Sequence, residues 1–316
     1  MKTSHIFWGV FFIALGGLIL LNNFTNIYFD WEMLAKLWPV VLILWGLSLF
    51  IKDNKFVKGF IIVLLSILVA LTIFSSFNFI FDVVHYDNGR AFSGIVIDDD
   101  SNVDTSSYFL PFNINVKEST LKFKSGAGYF EINGTSDGLF SAKTAGIKNN
   151  YLIDSDIYGD NTKIEFYMKD RHFPFEHGKL INDVEMKLNT APLWDLDFSL
   201  GAAGINLDLS PFKVEKVDIG MGASKLKIKL GDKNDNIQVK LEAGVSKIEI
   251  MIPESSGCEI NSETVLSNKH FNGFNKISSG HFRTANFDSA SNKIYLSFNT
   301  GVSSIRVNRY SDSDWQ

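Results

Sequence analysis

Residues 217–228 read VDIGMGASKLKI, and residues 239–250 read VKLEAGVSKIEI. In both segments apolar residues stand five and three positions before a glycine, and four and six positions after it. A period of two predicts a strand with one buried face on each side of the glycine. The phase of the alternation changes at the glycine. This predicts a corner or bulge, where glycine accepts positive φ and a close backbone approach.

The same pattern occurs five times. The glycines, with their flanking apolar positions, are Gly126 (Leu121, Phe123, Phe130, Ile132), Gly201 (Leu196, Phe198, Ile205, Leu207), Gly222 (Val217, Ile219, Leu226, Ile228), Gly244 (Val239, Leu241, Ile248, Ile250) and Gly301 (Leu296, Phe298, Ile305, Val307). Three copies follow at intervals of 21 and 22 residues, which is typical of stacked repeats. We expect each copy to form one rung of two strands. An ordinary antiparallel sandwich of repeated hairpins is the alternative.

Charge placement favours stacking of the rungs in register. Aligning the copies places three pairs of opposite charge on adjacent strands, and such pairs stabilise a sheet by a few tenths of a kcal/mol each. The pairs are Asp208 with Lys229, Lys227 with Glu249, and Asp218 with Lys240. Asp197 beside Asp218 departs from this pattern. The long excursions at residues 133–190 and 255–292 are where a specific site is expected.

The N-terminal region carries three apolar runs, at residues 6–21, 33–51 and 59–81. At 1.5 Å per residue the third run is about 34 Å long, enough to cross a hydrocarbon core of roughly 30 Å. We predict three transmembrane helices. The alternative is a cleaved signal peptide followed by buried core helices, but no small-residue cleavage site precedes a polar start.

Loop charges predict the orientation of these spans. Lys52, Lys55 and Lys58 lie in the second loop, whereas the segment after the third run is acidic. The positive-inside rule then places the N-terminus and the second loop in the cytoplasm. We expect a multi-pass protein of the cell (inner) membrane with an extracytoplasmic C-terminal domain. If the third run does not span, that domain lies in the cytoplasm.

The predicted fold class is therefore N-terminal transmembrane α-helices plus an all-β C-terminal domain of stacked, glycine-cornered strands, similar to a β-roll or solenoid. The predicted boundaries are 1–58 for a transmembrane hairpin, 59–84 for a third transmembrane helix, 85–115 for a juxtamembrane linker and first strand, and 116–310 for the β-repeat domain.

Composition narrows the possible partners. The net charge of −5 and the pI near 5.7 argue against a nucleic-acid partner, which would require clustered lysine and arginine. A single cysteine, Cys258, excludes an intramolecular disulfide framework and a cysteine-rich metal site.

One segment partly matches a calcium loop. Between Asp154 and Glu165, Asp156 and Gly159 also stand at EF-hand positions, but Tyr158 occupies the fifth position. The flanking residues 151–153 and 166–168 have strand character. We expect a polar hairpin turn, with calcium binding as the alternative.

Other polar residues give no catalytic pattern. The spacing of His172 and His177 and the intervening proline do not suit a zinc pair on a helix. The acidic run 98–100 is typical of a solvated linker, and His270 and His281 have no nucleophile beside them. The Gly126-Ala-Gly128 segment is explained by the repeat. We expect no enzymatic activity and no catalytic, cofactor-binding or metal-binding residues.

Two regions resemble a known family. Residues 7–23 and 37–46 resemble the transmembrane hairpin of LiaI/LiaF-like bacterial membrane proteins. Residues 126–132, 194–201, 222–226, 244–253 and 301–305 resemble the toast-rack β-domain often attached to it. The resemblance implies an envelope protein without catalysis that restrains a membrane sensor kinase in cell-envelope stress signalling. The odd third span departs from the family pattern.

Three functions follow as hypotheses. The first is a membrane-anchored regulator or sensor of envelope stress, acting through protein–protein contacts and held in the lipid bilayer. The second is a self-associating, membrane-anchored structural scaffold that adds copies through open strand edges. The third is a carbohydrate-binding or other ligand-binding envelope domain.

Overall fold

The computed structural model describes residues 8–14, 63–64, 66–67, 69, 104–169, 175–176, 179–180 and 182–311. The chain forms two compact units, Met1–Asp82 and Val83–Gln316. In the first unit, residues 8–14 are helical, as are 63–64, 66–67 and 69. Among the described residues, no helix combines the length and apolar character needed to cross a bilayer. Run 33–51 and most of run 59–81 lie outside these residues, so the three spans and the boundaries at 58, 84 and 115 stay predictions.

The described part of the second unit consists of strands. They are β1 (Asp104–Leu110), β2 (Glu118–Ser125), β3 (Gly128–Thr135), β4 (Phe140–Gly146), β5 (Tyr151–Tyr158), β6 (Asn161–Met168), β7 (Phe175–Glu176), β8 (Lys179–Leu180), β9 (Asp183–Leu188), β10 (Leu193–Leu200), β11 (Ala203–Asp208), β12 (Lys213–Lys229), β13 (Asn236–Pro253), β14 (Gly257–Phe271), β15 (Phe274–Ser278), β16 (His281–Thr284) and β17 (Lys293–Tyr310). All but the short β7–β8 pair belong to one continuous 15-stranded sheet. The expectation of an all-β C-terminal domain is confirmed.

The five glycine-cornered copies lie side by side as parallel rungs. They follow the order β2–β3, β10–β11, β12, β13 and β17, and every contact between them is a parallel pairing. Equivalent positions are paired, so Leu121, Leu196, Val217, Val239 and Leu296 form one row across the rungs. The antiparallel sandwich is therefore wrong, and the in-register stack is confirmed.

The buried face of each rung changes phase at its glycine, as in β12, where Val217 and Ile219 are buried before Gly222 and Leu226 and Ile228 after it. The segments before and after the glycines share one hydrophobic core, so we describe the sheet as two layers. We call the segments before the corners layer A and the segments after them layer B. At the corners the rungs are joined backbone to backbone: the N–H of Gly201 donates to the carbonyl of Gly126 at 3.1 Å, and that of Gly222 to Gly201 at 3.0 Å.

The corner glycines do not need positive φ. The described glycines with positive φ are Gly134, Gly146, Gly159, Gly273 and Gly280, none of them at a corner. Close approach explains the corners instead, because a Cβ on Gly301 would lie 2.7 Å from the carbonyl oxygen of Gly244. The sequence-based expectation was right about close approach and wrong about φ.

Two further rungs, β6 with β9 at one end and β14 at the other, have no glycine at the corner position. The glycine pattern therefore did not predict them. β6 extends layer A beyond β2, and β9 extends layer B beyond β3, although both follow them in the chain. At the opposite end β14 pairs in parallel with β17, and its register places Thr264 opposite Thr300, just before the corner glycine Gly301. Both extra rungs come from the excursions 133–190 and 255–292. Antiparallel strands β1, β4 and β5 extend one end of the sheet, and β15 and β16 extend the other.

Alternating side chains of both layers enclose one hydrophobic core. The core side chains of β2, β6 and β10 include aromatic rings. The Phe123 ring centroid lies 5.6 Å from that of Phe166 and 6.0 Å from that of Phe198. The central rungs β12 and β13 are aliphatic, with Ile219 and Leu241 fully enclosed. Because each fully buried side chain of this size contributes roughly 1.5–3 kcal/mol, stacking supplies the stability that an isolated rung lacks.

The charge pairs proposed from the sequence are register partners in the structure. Asp197 and Asp218 are partners as well, as expected from the sequence. Ion pairs also run along single strands, such as Lys216 with Asp218 at 2.6 Å and Lys240 with Glu242 at 2.7 Å. These side chains are 34–59% exposed, so solvent screens the pairs and they contribute little to stability.

Candidate functional site

A surface groove of about 370 Å³ lies where the strands of layer A begin. It is lined by Glu118, Ser119, Thr120 and Lys122 of β2, by Tyr158, by Asn161, Thr162 and Lys163 of β6, by Leu193 and Asp195 of β10, and by Glu215 of β12. The lining comes from four adjacent rungs whose backbones are fixed by parallel ladders. The groove is therefore built on the rigid part of the domain.

Strand register places the polar side chains of the groove in rows. Thr120 is paired with Lys163 on one side and with Asp195 on the other. Glu118 is likewise paired with Asn161 and Leu193. These rows alternate with the buried row that contains Trp194, so they belong to the outer face of layer A.

A β-bulge adds Glu215 to the groove. Trp194 is paired with Val214, but the next residue, Asp195, is paired with Lys216. Glu215 is therefore an extra residue, and both it and Lys216 are exposed. Bulges commonly redirect a side chain next to a functional site. Here the bulge brings a second carboxylate beside Asp195.

The groove has an acidic character. Burial raises the pKa of the Asp195 carboxyl, and the neighbouring Glu215 raises it further. Lys163 lies 2.5 Å from Glu165, and Lys122 lies 3.9 Å from Asp197. Both lysines thus face carboxylates that do not line the groove.

The carboxylates that line the groove are Glu118, Asp195 and Glu215, and no ion pair within 4 Å joins them to another described residue. Ser119 and Thr162, paired with each other across β2 and β6, also line it. Each is only 3% exposed, and neither hydroxyl has a hydrogen-bond partner in the structure. Both belong to the row of Trp194, so their hydroxyls lie on the buried side of layer A and not on its outer face.

This arrangement suits a ligand with several separated positive or hydrogen-bonding groups. Nowhere in the described ranges do three His, Cys, Asp or Glu side chains converge as a metal site would require. Within the described part of the chain, the residues that line the groove include neither histidine nor cysteine. Spaced carboxylates on a rigid face match the ammonium and guanidinium groups of a basic protein segment.

The calcium-like segment forms the expected hairpin. β5 and β6 pair antiparallel around Gly159, whose φ is +66°, and Asp160. Asp154 faces Glu165 across the hairpin and accepts a hydrogen bond from the Tyr167 hydroxyl at 3.0 Å. The prediction of a polar hairpin turn is confirmed.

The histidine and acidic candidates are not brought together. His172, His177 and the run 98–100 lie outside the described residues. His270 is exposed on β14 opposite Arg306. His281 on β16 lies 3.3 Å from Glu259, which also pairs with Arg283.

Cys258 is completely buried, and burial raises the pKa of its thiol, which suits a structural residue.

The groove was not predicted from the sequence. Its signal is local: in Val214-Glu215-Lys216-Val217 two polar residues separate apolar residues that alternation would separate by one. Such a break predicts a bulge. Nothing in the sequence alone shows that Asp195 lies opposite it, since 20 positions separate Asp195 from Glu215 in the chain.

Two family models match the chain. Residues 93–251 match the N-terminal domain of toast_rack, and residues 6–50 match the LiaI–LiaF-like transmembrane region. Together with the fold, these matches define an envelope-associated protein in which a stacked β-domain accompanies a membrane region. The chain belongs to the toast-rack family, because that model covers 159 of its 316 residues. The resemblance to LiaI/LiaF-like proteins is confirmed.

No curated protein sequence matches the chain. The chain is similar to the crystal structure of a candidate cell adhesion protein from Clostridium sporogenes, at 20% identity and a TM-score of 0.62, over 66% of this chain and 100% of that one. Candidate adhesins from Bacteroides fragilis and Parabacteroides merdae match at 10% and 11% identity, over 65% and 67% of this chain and 97% and 96% of theirs, with TM-scores of 0.28 and 0.17. Only the first of these scores supports a shared fold.

Proposed function

We propose that this protein is a non-enzymatic, membrane-anchored regulator of cell-envelope stress signalling that acts by protein–protein contact. The family supports an envelope role, and the association of LiaF-like proteins with stress signalling supports the finer role. The groove of layer A carries the proposal, because it offers rigidly spaced carboxylates to a partner. We expect the partner to be a membrane sensor kinase that presents a basic segment.

The groove chemistry favours contact with a protein over catalysis or sugar binding. The described residues that line the groove include the hydroxyl side chains of Ser119, Thr120 and Thr162 but no histidine that could activate them. Among the described residues that line the groove, Tyr158 is the single aromatic one, whereas a sugar-binding surface requires aligned aromatic faces. Spaced charges on a flat strand surface give register and partner specificity instead.

Removing two carboxylates from the groove tests this role. In the double variant Asp195→Asn/Glu215→Gln, binding of a basic partner segment should weaken by about thirtyfold, since two interfacial charges contribute roughly 2 kcal/mol. If the protein restrains a sensor kinase, the variant should no longer restrain it. Output from an envelope-stress reporter in unstressed cells should rise several-fold at unchanged protein level.

The matched control is Glu242→Gln/Glu263→Gln, which removes two exposed carboxylates from the same face, away from the groove. It should leave the reporter unchanged. If the groove variant is silent but deletion of the whole chain changes the output, the contact lies elsewhere. If deletion also has no effect, the regulatory role itself is wrong.

We also propose that the protein is multi-pass and that its β-domain lies outside the cytoplasm. The lysines at positions 52, 55 and 58 and the acidic segment after the third run support this orientation. The cells are prepared so that protease reaches the outer surface of the inner membrane but does not enter the cytoplasm. Under these conditions the protease should degrade the β-domain and leave a cytoplasmic control protein intact. Cleavage only after permeabilisation would place the domain in the cytoplasm.

A further inference from the structure

β1 is the outermost described strand at one end of the sheet. β4 and β1 extend layer B beyond β9, and β5 extends layer A beyond β6. β1 pairs with β4 on one side, and none of the described strands pairs with its other side. The backbone N–H and C=O groups along such an edge are a template to which a further strand can add.

The other described edge strands carry features that oppose pairing with a further strand. β5 has two carboxylates, Asp154 and Asp156, and no cation. At the opposite end β15 has Lys276 with a bulge beside it, and the layer B part of β14 has Lys269 and His270. β1, with the sequence DTSSYFL, has one charge at its first residue, no proline and no bulge. Charges, bulges and prolines are the features that protect sheet edges, so β1 is the edge suited to association.

The two faces of β1 differ. Tyr108 packs against the hydrophobic core. Thr105, Ser107 and Phe109 alternate with it and are exposed on the outer face. The Phe109 ring is 63% exposed and lies beside Gly138, where a Cβ would come within 2.5 Å of it. The edge thus presents an aromatic ring in a space that the glycine leaves open.

We propose that this edge binds β1 of a second copy of the chain, antiparallel and about a two-fold axis at Ser107. Backbone groups of alternate residues point to the same side of a strand, so two copies of one edge pair only positions that share a face. The axis at Ser107 pairs all seven residues of β1. Thr105 lies opposite Phe109, a favourable pair of β-branched and aromatic side chains. Asp104 lies opposite Leu110, so no like charges face each other between the two strands.

The uneven end of the stack lets two copies approach. Beyond β12 layer B continues through five described strands, β11, β3, β9, β4 and β1, and layer A through four, β10, β2, β6 and β5. β1 therefore projects one strand spacing, about 4.8 Å, beyond β5. When two β1 strands pair, the two β5 strands stay three spacings apart, roughly 14 Å. This exceeds the Debye length of about 8 Å, so repulsion between Asp154 and Asp156 of the two copies is screened.

Two anchored copies can form this pair in one membrane. Residues 51–103, which are 53 positions, separate the matched transmembrane region from β1. The two Asp104 residues of the pair lie six positions apart along the strands, about 20 Å, so both linkers can lead to the same bilayer. Anchoring raises the effective concentration of the copies, so a weak contact becomes populated. The inference stands apart from the proposed regulatory role, because it concerns a sheet edge and not the groove of layer A.

Sedimentation velocity of the unit Val83–Gln316 at rising protein concentration tests the proposal. This unit can be used alone because every residue of its hydrophobic core cluster lies between Val116 and Val307. It should form a dimer with a Kd on the order of 100 μM, since one pair of short strands is a small interface. Two-fold pairing occupies the edge of both copies, so association should stop at the dimer. A strict monomer at about ten times this concentration, or growth into larger oligomers, would overturn the proposal.

A single charge at the axis tests the edge. Ser107→Lys places two cations opposite each other and should weaken the dimer about tenfold. The matched control Ser155→Lys makes the same change at an exposed serine of β5, the other edge strand at this end, and should stay within about twofold of the original. Both variants should keep their melting temperature, because both serines are exposed. Equal weakening by the two variants would overturn the assignment to β1.

A disulfide tests the register. Ser107→Cys places two thiols opposite each other, with Cα atoms about 4.5–5.5 Å apart, which suits a disulfide. Cys258 is completely buried and does not compete. In the control Thr105→Cys the two thiols lie four positions apart along the strands, about 14 Å. Mild oxidation should link the first variant and not the second. A crosslink in both variants, or in neither, would overturn the pairing.

Discussion

Replacing Gly301 with alanine is expected to lower the free energy of unfolding of the β-domain by about 3 kcal/mol, the upper part of the range for overpacking. The new Cβ would lie 2.7 Å from the carbonyl oxygen of Gly244, which is a backbone atom. Neither strand can easily move aside, because β13 and β17 are paired along almost their whole length on both sides of the corner. The substitution must therefore separate two rungs at the point where they bend.

Thermal unfolding of the unit Val83–Gln316 measures this effect, with an expected fall of about 6–12 °C in Tm. Gly220→Ala is the matched control. Gly220 lies within β12, and the nearest atom to a Cβ there is 4.0 Å away. That variant should stay within about 0.5 kcal/mol of the original. Equal losses from both variants would show that close approach is not the reason for the corner glycines.

Glu131→Gln is expected to stabilise the β-domain by about 3 kcal/mol at about pH 8 and to have little effect near pH 4. Glu131 is only 7% exposed and is the register partner of Glu185 on β9. Burial, followed by the charges of Glu185 and Asp183, raises its pKa from 4.5 to about 7, and Lys187 opposes this shift. Lys187 lies 3.3 Å from Glu185, so its charge is shared between the two carboxylates.

The sign follows from proton linkage. Between pH 4.5 and about 7 the folded state holds a proton on Glu131 that the unfolded state has lost. Stability linked to this proton is complete below pH 4.5 and is lost as the pH rises through 7. Glutamine keeps the shape of the side chain without the charge, so the variant should not lose this stability.

Urea unfolding at a series of pH values measures the difference between the two proteins. Glu249→Gln is the control, since it removes a carboxylate from the same transverse row, where Lys227 and Arg306 are its partners. It should show no gain that grows with pH. If the free energies of unfolding of Glu131→Gln and the unchanged domain differed by the same amount at every pH, the prediction would be wrong.

The sequence predicted the central rungs well. The phase change at Gly201, Gly222 and Gly244 located three corners, and the structure pairs them in the expected register. This success has a physical cause: each copy carries its own period of two and its own corner, and a one-residue slip would expose every buried side chain. The asymmetry of loop charge likewise predicts an orientation from composition alone, which the described residues do not test.

The remaining features depend on which strands meet. β6 and β14 carry no corner glycine, so only pairing with β2 and β17 makes them rungs. Asp195 and Glu215 share a groove because a bulge shifts one strand against its neighbour.

The sequence by itself thus determined the repeating rung, the position of its bend and the face that it buries, because these follow from local periodicity and the space a backbone needs. The tertiary structure decided the order of the rungs, the burial of Glu131 and the meeting of Asp195 and Glu215 in one groove. Those depend on non-local pairing, in which residues far apart in the chain acquire their neighbours only when the edges of rungs join.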